Sequence, residues 1–236
     1  MENNKPTLHY MANSGSQQCL WEIEELGIEY DLVLHERANG RAAAALKDTH
    51  PLGKAPQLVT ADGRTIAERS AIAFYLIETY DKEERFKVPP AGTPGFDSSK
   101  NDRLREEQLL SLVTTSLNQH LCMKCVLRVF ANAMPFFIRP FALGFNKILD
   151  KAFLDAEVDN IFKFLDNELE GRQYFNGTEL PTRLDFVIQW YVDFGAQACS
   201  IDISKYPRVK SWFDTCTSRP AWKRALEQGN GYDLTF

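Results

Sequence analysis

The residues whose spacing carries the most chemistry lie near the start of the chain. Tyr10, Ser14 and Ser16 surround the turn cluster ANSGS, just before a stretch of helical period over 17–26. The first N–H groups of a helix lack intrahelical partners, and a serine side chain can cap them. A hydroxyl beside the positive end of a helix is also suited to holding a thiolate. A free thiol has a pKa of about 8.5, and a helix N-terminus lowers it. The ionised sulfur is then a nucleophile. Capping alone and thiolate binding both fit these residues, and the Tyr10 phenol can donate to a thiolate as well.

A second constellation fills residues 50–77, HPLGKAPQLVTADGRTIAERSAIAFYLI. Gln57-Leu58-Val59 and Thr65-Ile66-Ala67 are β-prone runs. Between them Asp62-Gly63 is a two-residue hairpin signal, because both residues tolerate positive φ. Ala55-Pro56 opens the hairpin, where either a trans turn or a cis bond fits; cis bonds are rare and sit in tight turns. A cis bond would turn the Ala55 N–H and C=O outward, where a short peptide can pair with them by strand addition. Residues 68–77 then read as a helix with Ile72, Tyr75 and Leu76 on its apolar positions.

The elements that must position these groups follow in order. Residues 7–11 read as a strand, 17–26 as a helix stopped by Gly27, 28–35 as a strand and 38–47 as a small alanine-rich helix. The hairpin and a last helix complete a thioredoxin-like α/β unit. The segment KEERFKVPPAGTPGFDSS is a linker by composition. Beyond it only helices are expected: 109–127, 154–169 ending at Gly171, 184–194, and 209–216 before Pro220. The predicted organisation is an α/β domain over 1–83, a linker over 84–99 and an all-α domain over 100–236. Thr182 and Asp185 form an aspartate version of the capping box and read as folding residues.

The totals exclude several classes. The 236 residues carry a net charge of −5, which disfavours a nucleic-acid partner. Five cysteines without framework spacing suggest a reducing compartment. The N-terminus has no apolar signal core, so a cytoplasmic location is expected. No window reaches the roughly 18 apolar residues of a membrane span. Cys122-Met123-Lys124-Cys125 lies inside a helical pattern, and the four histidines show no metal spacing, so no metal site is expected.

LHYMANSGSQQCLWEIEELGIEYDL resembles the opening of fungal and bacterial glutathione transferases of the serine type, roughly LHxLxxSRSxRxxWLLEELGxxYEL. Ser14 falls on that family's hydroxyl position, and Ser16 two places on. Tyr10 stands where the tyrosine-type transferases carry their catalytic phenol. The resemblance implies the two-domain transferase fold, a cis bond at Pro56 and a glutathione site formed by Lys54, Ala55, Pro56 and Glu68; Arg69, this chain's own departure from that site, either makes a bidentate pair with the γ-glutamyl carboxylate or points to solvent. Lys54 would meet the glycine carboxylate of glutathione and Glu68 the γ-glutamyl ammonium. The chain departs from the pattern at Gly15 and Gln18, where arginines are expected, and at Arg69, where the family has serine. The segment MPFFIRPFALGFNKIL over 134–149 is similar to a stretch of the fungal enzymes; its aromatics either pack helices, meet a second subunit or line a co-substrate pocket. His120, near where the family's co-substrate pocket opens, is a candidate proton donor. The implied function is a homodimeric glutathione transferase acting on a small hydrophobic electrophile. Glutathione-dependent cis–trans isomerisation of a polyene-type substrate, as in fungal secondary metabolism, and a non-catalytic regulator or scaffold are the alternatives.

Overall fold

In the computed structural model, residues 5–37, 40–92, 96, 98 and 102–235 are described. The linker expected over 84–99 falls partly outside them. The central strand β1 (Thr7–Met11) alternates partly and fully buried side chains, as a strand covered on one face should. Helix α1 (Ser16–Leu26) follows, and Gly27 ends it in the left-handed conformation at φ 64°, as expected. β2 (Asp31–His35) lies parallel to β1, while β3 (Gln57–Val59) and β4 (Thr65–Ala67) add antiparallel strands in the order β2-β1-β3-β4. α3 (Arg69–Tyr80) returns to pack beside α1.

Two local expectations are corrected. The alanine-rich helix expected over 38–47 is only the short α2 (Leu46–Thr49), with residues 38 and 39 outside the described set. Only Leu46 of α2 is buried, and helical propensity in so short a segment needs packing to hold it. In the hairpin only Gly63 takes positive φ. The Gly63 N–H donates to the Thr60 carbonyl and the Thr60 N–H to the Arg64 carbonyl, so the turn is longer than two residues.

The helical part begins with α4 (Arg103–Ser111), which runs through a π-helical stretch, Leu112–Leu117, into α5 (Asn118–Ala133). α6 (Arg139–Leu149) and a second π stretch, Asp150–Leu154, lead to α7 (Asp155–Glu168). Then come α8 (Arg183–Cys199), α9 (Pro207–Ser218) and α10 (Pro220–Gln228). The fold is therefore the predicted one: a thioredoxin-like sheet unit followed by helices. Trp21 of α1 joins the two parts, edge-on to Phe186 of α8 at 4.7 Å and to Trp222 of α10 at 5.6 Å. No helix of the described residues is long and apolar enough to cross a membrane.

The capping box at α8 forms as predicted and reaches further than a cap. The Asp185 carboxylate accepts from the Thr182 N–H and hydroxyl, the Phe175 N–H and the Trp212 indole N–H. α6 is the opposite case. It buries no residue, and Phe136, Phe137, Phe141 and Phe145 are all exposed, so the expectation that these aromatics pack helices together fails here.

Glu22 is a buried carboxyl with no hydrogen-bond partner among the described residues, where the family pattern has leucine. Burial pushes its pKa well above the ordinary value, against the nearby Arg183 charge. Its folded pKa exceeds its unfolded one, so the native state binds the extra proton. The Glu22 contribution to stability is therefore fullest below the unfolded pKa and declines as pH rises toward the folded one. Glu22→Leu should raise stability at neutral pH by about 1 kcal/mol. Denaturant unfolding at several pH values checks this: the gain should grow from acid to neutral pH, and a pH-independent difference would contradict it.

Candidate active site

Strand register brings the candidate residues to one end of the sheet. His9 pairs with Gln57, and Gln57 with Ala67, so continuing both ladders sets Ala55 beside Met11 and Glu68 beside Pro56. The loop carrying Ser14 leaves β1 at this same end. The Ala55-Pro56 bond is cis, as expected from the resemblance. Among the described residues, neither the N–H nor the C=O of Ala55 takes a hydrogen bond. Lys54 is exposed beside it and has no ion-pair partner among those residues.

Glu68 occupies the N-cap of α3 at φ 72°, a conformation uncommon for a non-glycine residue and often found at functional sites. Its side chain is exposed and makes no cap bond. The N–H groups of Arg69 and Ser70 that follow have no partner among the described residues, which leaves donors for an anion. The Ser70 hydroxyl accepts from Arg183 (3.0 Å), and Arg183 also bonds Glu107 (2.8 Å). Ser70 is thus engaged with the helical part.

The three candidate hydroxyls differ in what they are free to do. The Ser14 hydroxyl donates to the Met11 carbonyl (2.7 Å) and accepts from the Ser16 N–H (3.2 Å). Ser16 is fully buried; its oxygen lies 2.9 Å from that of Ser14 and accepts the Met11 N–H. Ser14 retains slight exposure, at 7%. Tyr10 has none. Its hydroxyl is held by Gln17 (2.9 Å) and the Gly231 carbonyl (3.2 Å), and burial pushes its pKa up to about 12.

The C-terminal segment that encloses Tyr10 carries no signal in the local sequence. The Asn13 N–H donates to Gly231, and Asn13 accepts from the Asp233 N–H. Tyr232 anchors the segment to Asp193 of α8 at 2.7 Å. This tail fixes the serine loop from behind.

Arg69 does not point to solvent. Its guanidinium lies 3.8 Å over the Trp190 ring and donates to the Tyr191 hydroxyl (2.9 Å) and to Gln18 (3.3 Å). A methyl group at Gly15 would come within 2.5 Å of the Arg69 side chain. The departures from the family pattern at positions 15, 18 and 69 are therefore one packed unit. Cys122 and Cys125 lie within α5, with both thiols pushed up mainly by burial. His120 bonds the Ser116 carbonyl one turn back at 2.6 Å.

Comparisons with known proteins give the family. Residues 14–79 match the model of the glutathione S-transferase N-terminal domain, and residues 129–220 that of the C-terminal domain. Glutathione S-transferase 3 of Schizosaccharomyces pombe is 29% identical over 97% of this chain and 90% of its own. Glutathione S-transferase D7 of Drosophila melanogaster is 30% identical over 75% of this chain and 68% of its own. A glutathione S-transferase structure from Actinobacillus pleuropneumoniae superposes with a TM-score of 0.70, at 26% identity, covering 97% of this chain and 94% of that one. With both domain models matched in order and the sheet end built as described, the chain belongs to the glutathione S-transferase family.

Proposed function

We propose that this protein is a glutathione transferase acting on a small hydrophobic electrophile. The observation that carries the reading is the convergence at one sheet end of the Ala55 main chain, unpaired among the described residues, the Glu68 carboxylate and the serine loop. These groups fit a tripeptide. Ala55 would pair with its main chain, Glu68 would hold the ammonium, the α3 N–H groups its neighbouring carboxylate, and Lys54 the carboxylate at the other end. Glutathione supplies the nucleophilic sulfur, which forms the C–S bond while the electrophile releases a leaving group or takes up a proton.

The chain's own part is to bind and ionise. Ser14 is the first choice for the hydroxyl beside the sulfur, because it alone of the three keeps exposure. To donate, it turns its proton from the Met11 carbonyl, while the Ser16 N–H still holds its oxygen in place. Tyr10 ranks below it, being sealed under the C-terminal segment. Ser14→Ala should lower kcat/KM in a conjugation assay with a general aryl halide about tenfold, the worth of one hydrogen bond to a charged group. Unchanged activity would remove Ser14 from the role. Free glutathione and product mass are followed in the same assay: an isomerase leaves both unchanged, and a scaffold shows no turnover.

The exposed phenylalanines of 136–145 favour a homodimer over a monomer, since monomers rarely leave large contiguous apolar patches in water. Sedimentation should give twice the 26.9 kDa chain mass at micromolar concentration. A single-chain mass there would contradict the dimer.

A further inference from the structure

We propose that Arg69, lying against Gly15 at the start of α1, is the charge that keeps the glutathione sulfur ionised; this rests on the sulfur binding at that loop, as read above. Gly15 has φ −64° and ψ 0°, which any residue can adopt. Its backbone therefore gives no reason for glycine. The reason is steric: a Cβ would meet the Arg69 Cδ at 2.5 Å and Nε at 2.8 Å. Gly15 leaves room for the guanidinium stem beside the residue that follows Ser14.

The partners that hold Arg69 are all neutral. Gln18 and Tyr191 accept from it, and the Trp190 and Tyr191 rings lie under it at 3.8 and 4.7 Å. No carboxylate lies within ion-pair distance among the described residues. The side chain is thus fixed in place with no carboxylate paired directly to it among the described residues. A half-buried cation whose direct partners are all neutral favours an anion beside it. The Ser14 hydroxyl has two internal acceptors in reach, the Met11 carbonyl at 2.7 Å and the Ser16 oxygen at 2.9 Å, and must turn from them to meet a thiolate.

The acids around Arg69 register its field. It pulls down the thiols of Cys19 on α1 and Cys122 on α5, and the phenols of Tyr191 on α8 and Tyr232 in the tail, each against a larger effect of burial. The carboxyls that act on these same groups are Glu22 at Cys19, Glu68 at Tyr191 and Asp193 at Tyr232. Burial raises the pKa of Glu22 and of Asp193, which weakens both as competitors for the charge.

Titration of the bound thiol by ultraviolet difference absorbance tests the proposal, with calorimetry of glutathione binding beside it. Arg69→Gln should raise the bound thiol pKa by about 1 unit or more. Arg69→Lys should recover part of that shift, because it returns the charge without the planar fork. If Arg69→Gln does not fold, Arg69→Met keeps the stem volume and should give the same rise. A purely structural role would lower the melting temperature and leave the thiol pKa at the parent value; that result, with glutathione still bound, overturns the proposal. Absence of glutathione binding to the parent protein would overturn the transferase reading itself and this inference with it.

Discussion

Asp185→Ala should destabilise the protein by about 4 kcal/mol and lower its melting temperature by about 10 °C. The size follows from what the carboxylate holds. It accepts four donors from three places in the chain: Thr182 at the helix start, the Phe175 backbone and the Trp212 indole of α9. Burial pushes the carboxyl pKa up, and these four donors pull it down. Removing the acceptor leaves buried N–H groups unpaired, and each such group costs about 1–3 kcal/mol. Trp212 also packs edge-on against Phe175 at 5.0 Å, so its loss of position loosens the core. Thermal and denaturant unfolding measure the effect. A loss under about 1 kcal/mol would mean that the network is no more than an ordinary helix cap.

Glu68→Gln should weaken glutathione binding by about 30-fold, with little change in stability. A hydrogen bond to a charged group is worth about 1.5–3 kcal/mol, and glutamine keeps the shape while losing the charge. The Glu68 side chain makes no internal cap bond, so the fold does not depend on its charge. Its positive φ is retained by glutamine at similar cost, which keeps the comparison clean. Calorimetry on both proteins reads the difference directly. Equal affinities would place the ammonium elsewhere.

These two residues also mark what the sequence made readable. Thr182 and Asp185 were legible because a capping box is a local pattern, three residues apart. The hairpin strands, the stop at Gly27 and the helical periods of α7, α8 and α9 were legible for the same reason. The alanine-rich segment before α2 misled because propensity was present and a buried face was not. In the linear chain Ser14 stands only slightly ahead of Tyr10, and Tyr10 slightly ahead of Ser16. The return of Gly231 to the Tyr10 hydroxyl, across 221 residues, widens the gap, and so does the full burial of the phenol. The Gly15–Arg69 contact was hidden likewise: two odd residues in different motifs prove to be one packing decision. The exposed face of α6 was unreadable too, since an amphipathic pattern says which side is apolar and not what covers it.

The central claim is that glutathione lies along the Ala55 main chain with its sulfur at the serine loop. A crystal structure with glutathione bound tests it most directly. The account predicts paired hydrogen bonds between the tripeptide main chain and Ala55, and a sulfur about 3.5 Å from the Ser14 hydroxyl, on the side facing Arg69. A tripeptide bound elsewhere, with the Ala55 N–H and C=O still unpaired, would contradict it.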